Sequence, residues 1–429
     1  MHFELARNID DAWSAVDLFP LQPGDPRYVD CSQVRGNTLE RIKRMLKRHA
    51  KAKRNLHLLF TGYRGNGKTT ELYQLQSIIK SDYEVIYFDV SELDVNNLTL
   101  SDLLLVIAKI TVEGMTKAGY CLPDNLLENV GDWFFEKVLE RSEKIIAEIG
   151  AKADIGIPDW FSFITTKIFS GVQMSTDDRQ IMRRKLERDI TELIDKVNSL
   201  LRESRARVQD KGKVDLIFIM DSLDRLRLGL DKNLFQGSGS LLKQLQANFI
   251  YVVPISLFYD EQATLLPFDE QLILPMIPIY KGGYERILNE VGIEHLKKVV
   301  EKRLVVEEVF ACPQKTVDEL ILASGGHLRD LMKLIGFACN ETEDKIQPHH
   351  AERAINKLIR DYEKVIRDEE YEHIVTVYQT QDPPNNETNQ KLIYNNVILV
   401  YTETDETEWK DVHPAVVKNN KFQKALKQR

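Results

Sequence analysis

The loop GYRGNGKT constrains this chain more than any other feature of its sequence. It runs from Gly62 to Thr69 and satisfies the pattern G-x-x-x-x-G-K-[ST] in full. The mostly apolar residues 56–61 predict a strand before the loop, and helical apolar spacing over residues 71–80 predicts a helix after it. A loop of this kind points its backbone N–H groups at phosphate oxygens, and the following helix adds its positive dipole end. The sequence therefore predicts a site for a nucleoside triphosphate.

Two side chains of the loop have separate expected roles. Lys68 should reach the β- and γ-phosphates, and Thr69 should ligate Mg²⁺ through its hydroxyl. The other loop residues expected to contact the nucleotide are Gly62, Arg64, Gly65, Asn66, Gly67 and Thr70. The expected cofactors are accordingly ATP and Mg²⁺.

An acidic residue at the end of another predicted strand complements the loop. The run VDLIFIMD, residues 214–221, predicts a continuous apolar strand that ends in Asp221. In a parallel sheet this carboxylate lies at the same edge as the glycine loop, so we expect it to be the second Mg²⁺ anchor, often through water. Asp224 follows three residues later, where it could either orient water or cap a helix.

The order of the predicted elements indicates an α/β fold with a parallel-sheet P-loop NTPase core and a helical insertion, followed by a helical region and a C-terminal winged-helix domain. A family resemblance implies that the helical region is an α-helical lid. Three more strands are predicted at residues 83–90, 249–258 and 271–280. Residues 91–213 are far too long for an ordinary connection, and within them residues 177–208 predict one long amphipathic helix. The expected domains are residues 1–54 (N-terminal segment and basic helix), 55–283 (core with the insertion), 284–345 (lid) and 346–429 (winged-helix-like domain).

Four elements of the chain resemble the AAA+ superfamily of P-loop ATPases, and within it the STAND ATPases and the origin-recognition and helicase-loader clade. They are GYRGNGKTT as Walker A, LIFIMDSLDR as Walker B, YVVPIS as the sensor-1 strand and GGHLRDL as the sensor-2 motif. The resemblance implies ATP hydrolysis, with Ser256 at the γ-phosphate or the attacking water and Arg329 reaching from the lid to the γ-phosphate. It also implies that Arg27, Tyr28 and Val29 lie near the adenine. The alternatives are a plain strand-end serine for Ser256 and a surface arginine for Arg329.

Two departures from the family pattern concern the hydrolytic step. Ser222 stands where AAA+ enzymes usually have glutamate and STAND proteins have aspartate, and a hydroxyl is a poor general base near pH 7. The family's arginine finger usually lies in the segment DEQATLLPFDEQLILP, which contains no arginine. The other candidates for a finger acting in trans are Arg225, Arg227, Arg179, Arg183 and Arg184. Both departures favour a slow ATPase that works as a nucleotide-gated switch.

The C-terminal part predicts helices followed by a hairpin of NVILVYTE and EWKDVH. In AAA+ relatives a winged-helix domain often follows the lid, where it binds DNA or packs against the core to hold it shut. The expected wing, TETDETEW, is acidic and would repel phosphate, which favours an autoinhibitory or protein-contact role. Trp409 and His413 are expected to pack in the wing.

Charge and composition restrict the partners. The net charge of −8 argues against a nucleic-acid footprint over the whole chain. Residues 41–54, with eight Lys or Arg and no acid, predict a basic helix that either packs beside the core or contacts nucleic acid or an acidic partner. Four scattered cysteines, the lack of a signal peptide and the lack of a run of about 18 apolar residues predict a cytoplasmic protein without membrane contact.

Three functions follow from these patterns. The first is a STAND-like switch in which ATP permits homo-oligomerisation or recruits a protein effector, and the resemblance implies bacterial antiviral defence as one setting. The second is a DNA-binding AAA+ initiator or loader. The third is a module that holds ATP structurally and never hydrolyses it. The two departures favour the first.

Overall fold

A parallel five-stranded sheet forms the centre of the chain in the computed structural model, which describes residues 4–93, 97–138, 176–402 and 407–428. The strands are β1 (His57–Gly62), β2 (Tyr83–Asp89), β3 (Asp215–Asp221), β4 (Asn248–Val252) and β5 (Glu270–Leu274). Their spatial order is β2-β3-β4-β1-β5, and each neighbouring pair is parallel. The strands β1, β3 and β4 are buried along their whole length, as expected for apolar strands with helices on both faces.

The register of the strands brings the predicted site to one edge of the sheet. Phe60 pairs with Val252 of β4, so the glycine loop leaves β1 beside the end of β4. Asp221 pairs with Asp89 at the same edge. Because all five strands are parallel, their carboxyl ends meet here, and this edge is where open α/β sheets bind ligands.

Helices cover both faces of the sheet and form the insertion. They also form most of the two predicted units, residues 284–345 and 346–429, for which we keep the names lid and C-terminal domain. The main helices are α1 (Ile9–Ala15), α2 (Thr38–Lys51), α3 (Lys68–Ile79), α4 (Leu100–Lys117), α5 (Asp124–Val138), α6 (Thr176–Arg188), α7 (Ile190–Asp210), α8 (Glu290–Glu301), α9 (Pro313–Ser324), α10 (Leu328–Cys339), α11 (Pro348–Glu363), α12 (Tyr371–Thr380), α13 (Glu387–Tyr394) and α14 (Asn420–Lys427). Side-chain caps fix several of their starts; for example, Thr99 and Asp102 form a capping box before α4. No helix in the described part of the chain combines the length and the apolar character needed to cross a bilayer.

Some predicted elements have different limits in the structure. The strands β4 and β5 were expected to reach residues 258 and 280, but each ends within two residues of a proline, Pro254 or Pro275, which has no N–H for the ladder. The helix predicted over residues 177–208 is two helices, α6 and α7, because Asp189 between them has a non-helical backbone. The part of the predicted insertion in residues 139–175 lies outside the described residues.

The lid and the C-terminal domain share one continuous hydrophobic core. Buried side chains of the lid, such as Leu296 and Leu331, belong to the same cluster as Leu399 and Val400 of the C-terminal hairpin. Tyr63 of the glycine loop is also part of this cluster. Two further clusters fill the space on the two faces of the sheet, one toward the insertion and one toward α2 and α3. The C-terminal domain is therefore packed directly against the lid and the loop.

The predicted C-terminal hairpin is confirmed. Strands β6 (Ile398–Thr402) and β7 (Glu408–Val412) are antiparallel, with Tyr401 opposite Trp409 and their rings stacked at 4.4 Å. Trp409 and His413 are buried, as expected for packing residues. Most of the connection that makes the expected wing acidic, residues 403–406, lies outside the described part of the chain, and the assignment of a winged-helix domain stays a prediction.

Candidate nucleotide-binding site

The glycine loop joins β1 to α3 with a backbone that glycine adopts most easily. Gly65 and Gly67 have φ values of 90° and 89°, in the left-handed region where a side chain causes strain. Space is limiting at Gly65 as well, because a β-carbon there would lie 2.4 Å from the β-carbon of Arg329. The left-handed backbone therefore favours glycine at both positions. At Gly65, the close approach of Arg329 in the lid also leaves no space for a side chain.

The Lys68 ammonium is buried under the loop and is held by protein groups. Its Nζ donates to the carbonyl oxygens of Gly62 and Tyr63 at 2.7 and 2.9 Å. The same atom lies 2.7 Å from Oδ2 of Asp224, in an ion pair whose side chains are 5% and 10% exposed. A phosphate bound in the loop would therefore compete with Asp224 for the lysine.

Asp221 lies within hydrogen-bonding distance of the loop. Thr69 Oγ1 donates to its Oδ2 at 2.7 Å, and the Tyr87 hydroxyl donates to the same oxygen. The backbone N–H of Ser222 donates to Oδ1 at 2.6 Å. Burial raises the pKa of Asp221, and the hydrogen bonds from Tyr87 and Thr69 oppose that shift. Burial and the neighbouring Asp221 raise the pKa of Tyr87 above its ordinary value, so the phenol stays a hydrogen-bond donor.

These oxygen atoms fit a magnesium ion. Thr69 would supply a hydroxyl and Asp221 a carboxylate, which are hard ligands of the kind Mg²⁺ prefers, and nucleotide phosphates and waters would complete its shell. A bound Mg²⁺ would neutralise charge on the phosphates during transfer. Among the residues that the structure describes, no group of three or more His, Cys, Asp or Glu side chains could hold a metal on its own.

Arg329 reaches the loop from the first turn of α10. Its backbone N–H donates to the carbonyl oxygen of Gly65 at 3.2 Å, and its side chain lines the cleft above the loop. Burial lowers the pKa of Arg329, and the charges of Asp330 and Asp224 oppose that shift. The guanidinium makes no hydrogen bond or ion pair with any residue in the described ranges. A free cation beside a phosphate-binding loop is well placed to bind a phosphate oxygen.

A cleft of about 420 Å³ extends from the loop to the N-terminal segment. Its volume falls within the roughly 300–1,000 Å³ that is typical of small-molecule sites. Arg27, Tyr28 and Val29 line the cleft together with Val299 and Met332 of the lid. The residues predicted for the base and those predicted for the phosphates therefore border one cleft.

A buried ion pair that the sequence did not indicate joins the N-terminal segment to the loop. Arg35 pairs with Glu71 of α3 and donates through Nη1 to the carbonyl oxygen of Asn66 at 3.0 Å. The Tyr28 hydroxyl donates to the second oxygen of Glu71 at 3.3 Å. The N-terminal segment, the loop and α3 are thus one hydrogen-bonded unit.

Most of the predicted site residues line the cleft. They are Tyr28, Arg64, Gly65, Gly67, Lys68, Thr69, Thr70, Asp221, Asp224 and Arg329. Gly62 is outside the lining, and Asn66 is fully buried with its Nδ2 donating to the carbonyl oxygens of Leu274 and Pro275 at 3.1 and 2.7 Å. Ser256 is buried outside the lining, and its hydroxyl has no partner among the described residues. The catalytic role of Ser256 stays a prediction without a contact to support it.

Ser222, at the position of the expected acid, has an unusual backbone. Its φ of 66° lies in the left-handed region, which is uncommon for residues other than glycine. Burial alone would raise the pKa of Asp89 at the end of β2, but hydrogen bonds from Ser91 and Ser222 lower it. The hydroxyl of Ser222 therefore lies close enough to Asp89 to stabilise its charged form.

The arginines predicted as candidates for a finger occupy different places. Arg183 binds Asp102 through Nε at 3.2 Å and Nη2 at 2.6 Å, so its charge is used inside the insertion. Arg225 lines the cleft and is exposed. The exposed candidates outside the lining are Arg184 and Arg227. The side chain of Arg179 lies outside the described part. Of the described candidates, Arg225 alone borders the cleft.

The outer side of the glycine loop contacts the C-terminal domain. The buried Tyr63 donates its hydroxyl to the carbonyl oxygen of Ile398 at 2.8 Å. Arg64 donates to the hydroxyl of Tyr394 at 2.5 Å, and its guanidinium carbon lies 4.7 Å from the centre of that ring. The same guanidinium donates to the carbonyl oxygen of Asp224 at 3.0 and 3.1 Å. Two motif positions that can hold any residue thus connect the loop to a distant domain.

A buried polar cluster lies between the loop, the lid and the C-terminal domain. The Nε2 of His327 is 2.7 Å from the carbonyl oxygen of Arg64, and its Nδ1 is 3.0 Å from Oδ2 of Asp330. Tyr362 donates to that carboxylate oxygen at 2.7 Å, and Nε2 of His413 lies 3.4 Å from it. Burial alone would raise the pKa of Asp330, but His327 and His413 hold it well below its ordinary value. Burial lowers the pKa of His413.

No protein-family model and no curated protein matches the chain. It is similar to the Walker-type ATPase PABY2304 of Pyrococcus abyssi, with 13% identity, a TM-score of 0.41 and coverage of 96% of this chain and 99% of that one. It is also similar to Cdc6p from Pyrobaculum aerophilum (9% identity, TM-score 0.38, coverage 97% and 98%) and to the Thermotoga maritima RuvB Holliday junction branch migration motor (12%, 0.33, 92% and 97%).

These TM-scores are low, and the fold assignment rests on the chain's own features. The glycine loop follows β1 in a sheet of order β2-β3-β4-β1-β5, and Asp221 ends β3 at the same edge. The chain therefore has an α/β fold with a parallel-sheet P-loop NTPase core that carries a helical insertion.

Proposed function

We propose that this chain is an AAA+ ATPase of the switch type. It binds ATP with Mg²⁺, hydrolyses it slowly to ADP and phosphate, and on binding ATP assembles with further copies of itself or recruits a protein partner. A bacterial antiviral effector is one partner of this kind. The observation that carries the proposal is the double attachment of the glycine loop. Lys68 and Thr69 face the cleft, while Tyr63 and Arg64 of the same loop bind the C-terminal domain.

The binding step follows from the charges in the cleft. The lysine of the loop is paired with Asp224, and the γ-phosphate of ATP offers it a stronger anionic partner. Arg329 is free of other partners in the described chain and can bind an oxygen of the same phosphate. ATP and ADP differ at this position by one phosphoryl group, so Arg329 and the lid can distinguish them.

The slow hydrolytic step follows from the carboxylates. Ser222 cannot act as a general base near neutral pH, because its hydroxyl is neither acidic nor basic there. Asp224 is the carboxylate that can orient water, and its ion pair with Lys68 must be released first. Hydrolysis therefore depends on a rearrangement of the cleft, which supports a low turnover number.

The transmission step follows from Arg64. Its guanidinium donates to the carbonyl oxygen of Asp224 and to the hydroxyl of Tyr394 at once. Asp224 binds Lys68 through its carboxylate and Arg64 through its backbone carbonyl, so a shift of its backbone when Lys68 turns to a phosphate would disturb a contact with the C-terminal domain. This arrangement supports an autoinhibitory role for the domain, which would be docked without ATP and released with it.

The proposal is tested by measuring the mass of the protein in solution with ATP, with ADP and without nucleotide. We expect ATP alone to increase the mass, and Lys68→Ala to abolish that increase. A mass that is the same in all three conditions would contradict assembly. If nucleotide co-purifies tightly and no phosphate is released, the chain is a module that holds nucleotide structurally and is not a switch.

A second candidate function, DNA binding, is favoured by the basic end of α2. Six cationic side chains there are exposed and make no ion pair with the described residues: Arg44, Lys47, Arg48, Lys51, Lys53 and Arg54. Duplex binding that weakens steeply with salt and is lost when Arg44, Lys47 and Arg48 are replaced by glutamate would support an initiator or loader. If duplex binding is unchanged by these replacements, the basic end of α2 is not the DNA-binding surface.

A further inference from the structure

The hydroxyl of Tyr87 forms a hydrogen bond with Asp221, the carboxylate that is expected to anchor Mg²⁺. Tyr87 belongs to β2, next to β3 in the sheet, and its hydroxyl donates to Oδ2 of Asp221. Thr69 donates to that same oxygen at 2.7 Å, while Oδ1 accepts the N–H of Ser222 at 2.6 Å. Nothing in the expected magnesium chemistry of the loop uses a tyrosine at this place.

The number of hydrogen bonds that the Asp221 carboxylate can accept limits what else can bind beside the Tyr87 hydroxyl. Each carboxylate oxygen has two lone pairs, and those of Oδ2 are taken by Thr69 and Tyr87. Mg²⁺ loses its waters reluctantly, so a carboxylate near the ion often accepts a hydrogen bond from one of them. An ion ligated by the Thr69 hydroxyl would present such a water to Oδ2, where Tyr87 already lies.

The surroundings of Tyr87 keep its hydroxyl in this position. Its ring lies 5.0 Å from the ring of Tyr73 on α3, the helix that follows the loop. The partner carboxylate is 2% exposed and needs donors to remain ionised there. In the absence of a metal ion, Tyr87 supplies a hydrogen bond that water cannot easily provide.

We propose that Tyr87 occupies the place of a metal-bound water on Asp221, so that Mg²⁺ must displace this hydroxyl when it enters with the nucleotide. Tyr87 is thus a positioning residue that weakens the contribution of the metal to nucleotide binding. The inference rests on the proposed nucleotide site. It concerns the difference between nucleotide binding with and without Mg²⁺, which the site alone does not determine.

The test compares the wild type with Tyr87→Phe and Tyr83→Phe. Tyr87→Phe removes the hydroxyl and keeps the ring, and Tyr83→Phe is the same change at the other end of the same strand. The Kd of a fluorescent ADP analogue is measured in EDTA and in Mg²⁺. The readout is the Kd in EDTA divided by the Kd in Mg²⁺. We expect Tyr87→Phe to increase the ratio about tenfold, the effect of one hydrogen bond to a charged group. Tyr83→Phe should leave it unchanged.

A second readout does not depend on the fluorescent nucleotide. Electron paramagnetic resonance measures the concentration of free Mn²⁺ in the presence of protein and ADP. Tyr87→Phe should lower the Mn²⁺ concentration that gives half-saturation by a similar factor. An unchanged or smaller ratio in Tyr87→Phe overturns the inference, since Tyr87 would then be neutral or would orient Asp221 for the metal. If the wild type binds no nucleotide in either buffer, the proposed function fails and this inference fails with it.

Discussion

The two ends of the glycine loop differ in what they contact. The inner end, Lys68 and Thr69, contacts Asp221 and Asp224 at the edge of the same sheet. The outer end, Tyr63 and Arg64, contacts groups that are 335 and 330 positions away in the sequence. The inner end has the residues that the P-loop motif specifies, whereas the outer end lies at positions that the motif leaves open. One loop therefore combines the proposed phosphate contacts with contacts to a distant part of the chain.

We expect the two ends to be coupled, because they lie on one short backbone segment. If ligand binding at the inner end weakens the outer contacts, loss of the outer contacts strengthens ligand binding by the same free energy, because binding equilibria are reciprocal. Variants of the inner end should therefore affect the ligand first. Variants of the outer end should affect the domain first.

Loss of the inner cation should have the largest effect. Lys68→Ala removes the ammonium that meets the phosphates, and we expect the affinity for ATP to fall about 100-fold, as for charge-assisted hydrogen bonds. Isothermal titration calorimetry measures it. Lys243→Ala, a change at a more exposed lysine paired with Asp269, serves as the control. An affinity that falls less than threefold would show that the inner end does not bind phosphate.

Weakening of the outer end should affect the domain. The double variant Tyr63→Phe and Tyr394→Phe removes two hydroxyls, whose partners are the carbonyl oxygens of Ile398 and Leu226 and the guanidinium of Arg64. At about 1 kcal/mol for each hydroxyl, the undocked population should rise about 30-fold. Hydrogen–deuterium exchange in the segment from α13 to β7 measures this.

The matched control for that variant is Tyr284→Phe. Tyr284 is 67% exposed, and its hydroxyl donates to the carbonyl oxygen of Thr380 at 3.3 Å. Its loss should leave exchange unchanged. If the double variant exchanges at the rate of the control, the outer contacts do not hold the domain.

The junction of the loop and the lid should respond to Gly65→Ala. The added β-carbon would meet Arg329 at 2.4 Å at a φ of 90°, so we expect ATP binding to weaken about tenfold through strain and displacement of the lid. Gly119→Ala has a similar φ of 79° with nothing within 4 Å of the new atom. The control isolates backbone strain from the contact, and equal affinities in the two variants would contradict a role for the contact.

Acid should produce the smallest effect, at the polar cluster beside the outer end. His413 has a lowered pKa in the folded protein, so below its ordinary value of 6.5 the unfolded chain binds a proton that the folded chain does not. Stability is therefore retained above about pH 6.5 and falls below it, by at most about 1.4 kcal/mol per pH unit for one group. The facing groups are His327, Asp330 and Tyr362, and Asp330 stays ionised because its pKa is lowered.

Urea unfolding of the whole chain between pH 7.5 and 5.5 measures this effect, followed by the intrinsic fluorescence of its four tryptophans, which include Trp409. His413→Gln removes the titrating ring, and its unfolding midpoint should change less with pH than that of the wild type. If the unfolding midpoints of the two proteins change equally with pH, His413 is not the source of the pH dependence.

The sequence predicted the inner end because its residues form a local motif and a periodic pattern. Glycines with positive φ, a lysine, and an aspartate ending an apolar strand can be recognised without tertiary information. Strand ends and the break at Asp189 were predicted less well, since prolines and local backbone geometry decide them.

The outer end could not be predicted, because no local pattern joins Tyr63 to a carbonyl group in a separate domain. Tyr394 gave no signal for the same reason. Tyr87 had a weak one: the register places the end of β2 beside Asp221, so a polar side chain there can reach that carboxylate. Ser256 is the opposite case: its place in the motif order predicts a contact with the nucleotide, and this stays a prediction because Ser256 does not line the cleft.

The turnover number of the wild type decides whether this chain is a slow switch or a fast ATPase. Steady-state phosphate release at saturating ATP and Mg²⁺, together with a single-turnover measurement, separates slow chemistry from slow product release. With Ser222 in place of an acid and Asp224 paired with Lys68, we expect fewer than about one ATP hydrolysed per second. A turnover of tens per second, in the ordinary range of enzymes, would contradict the switch.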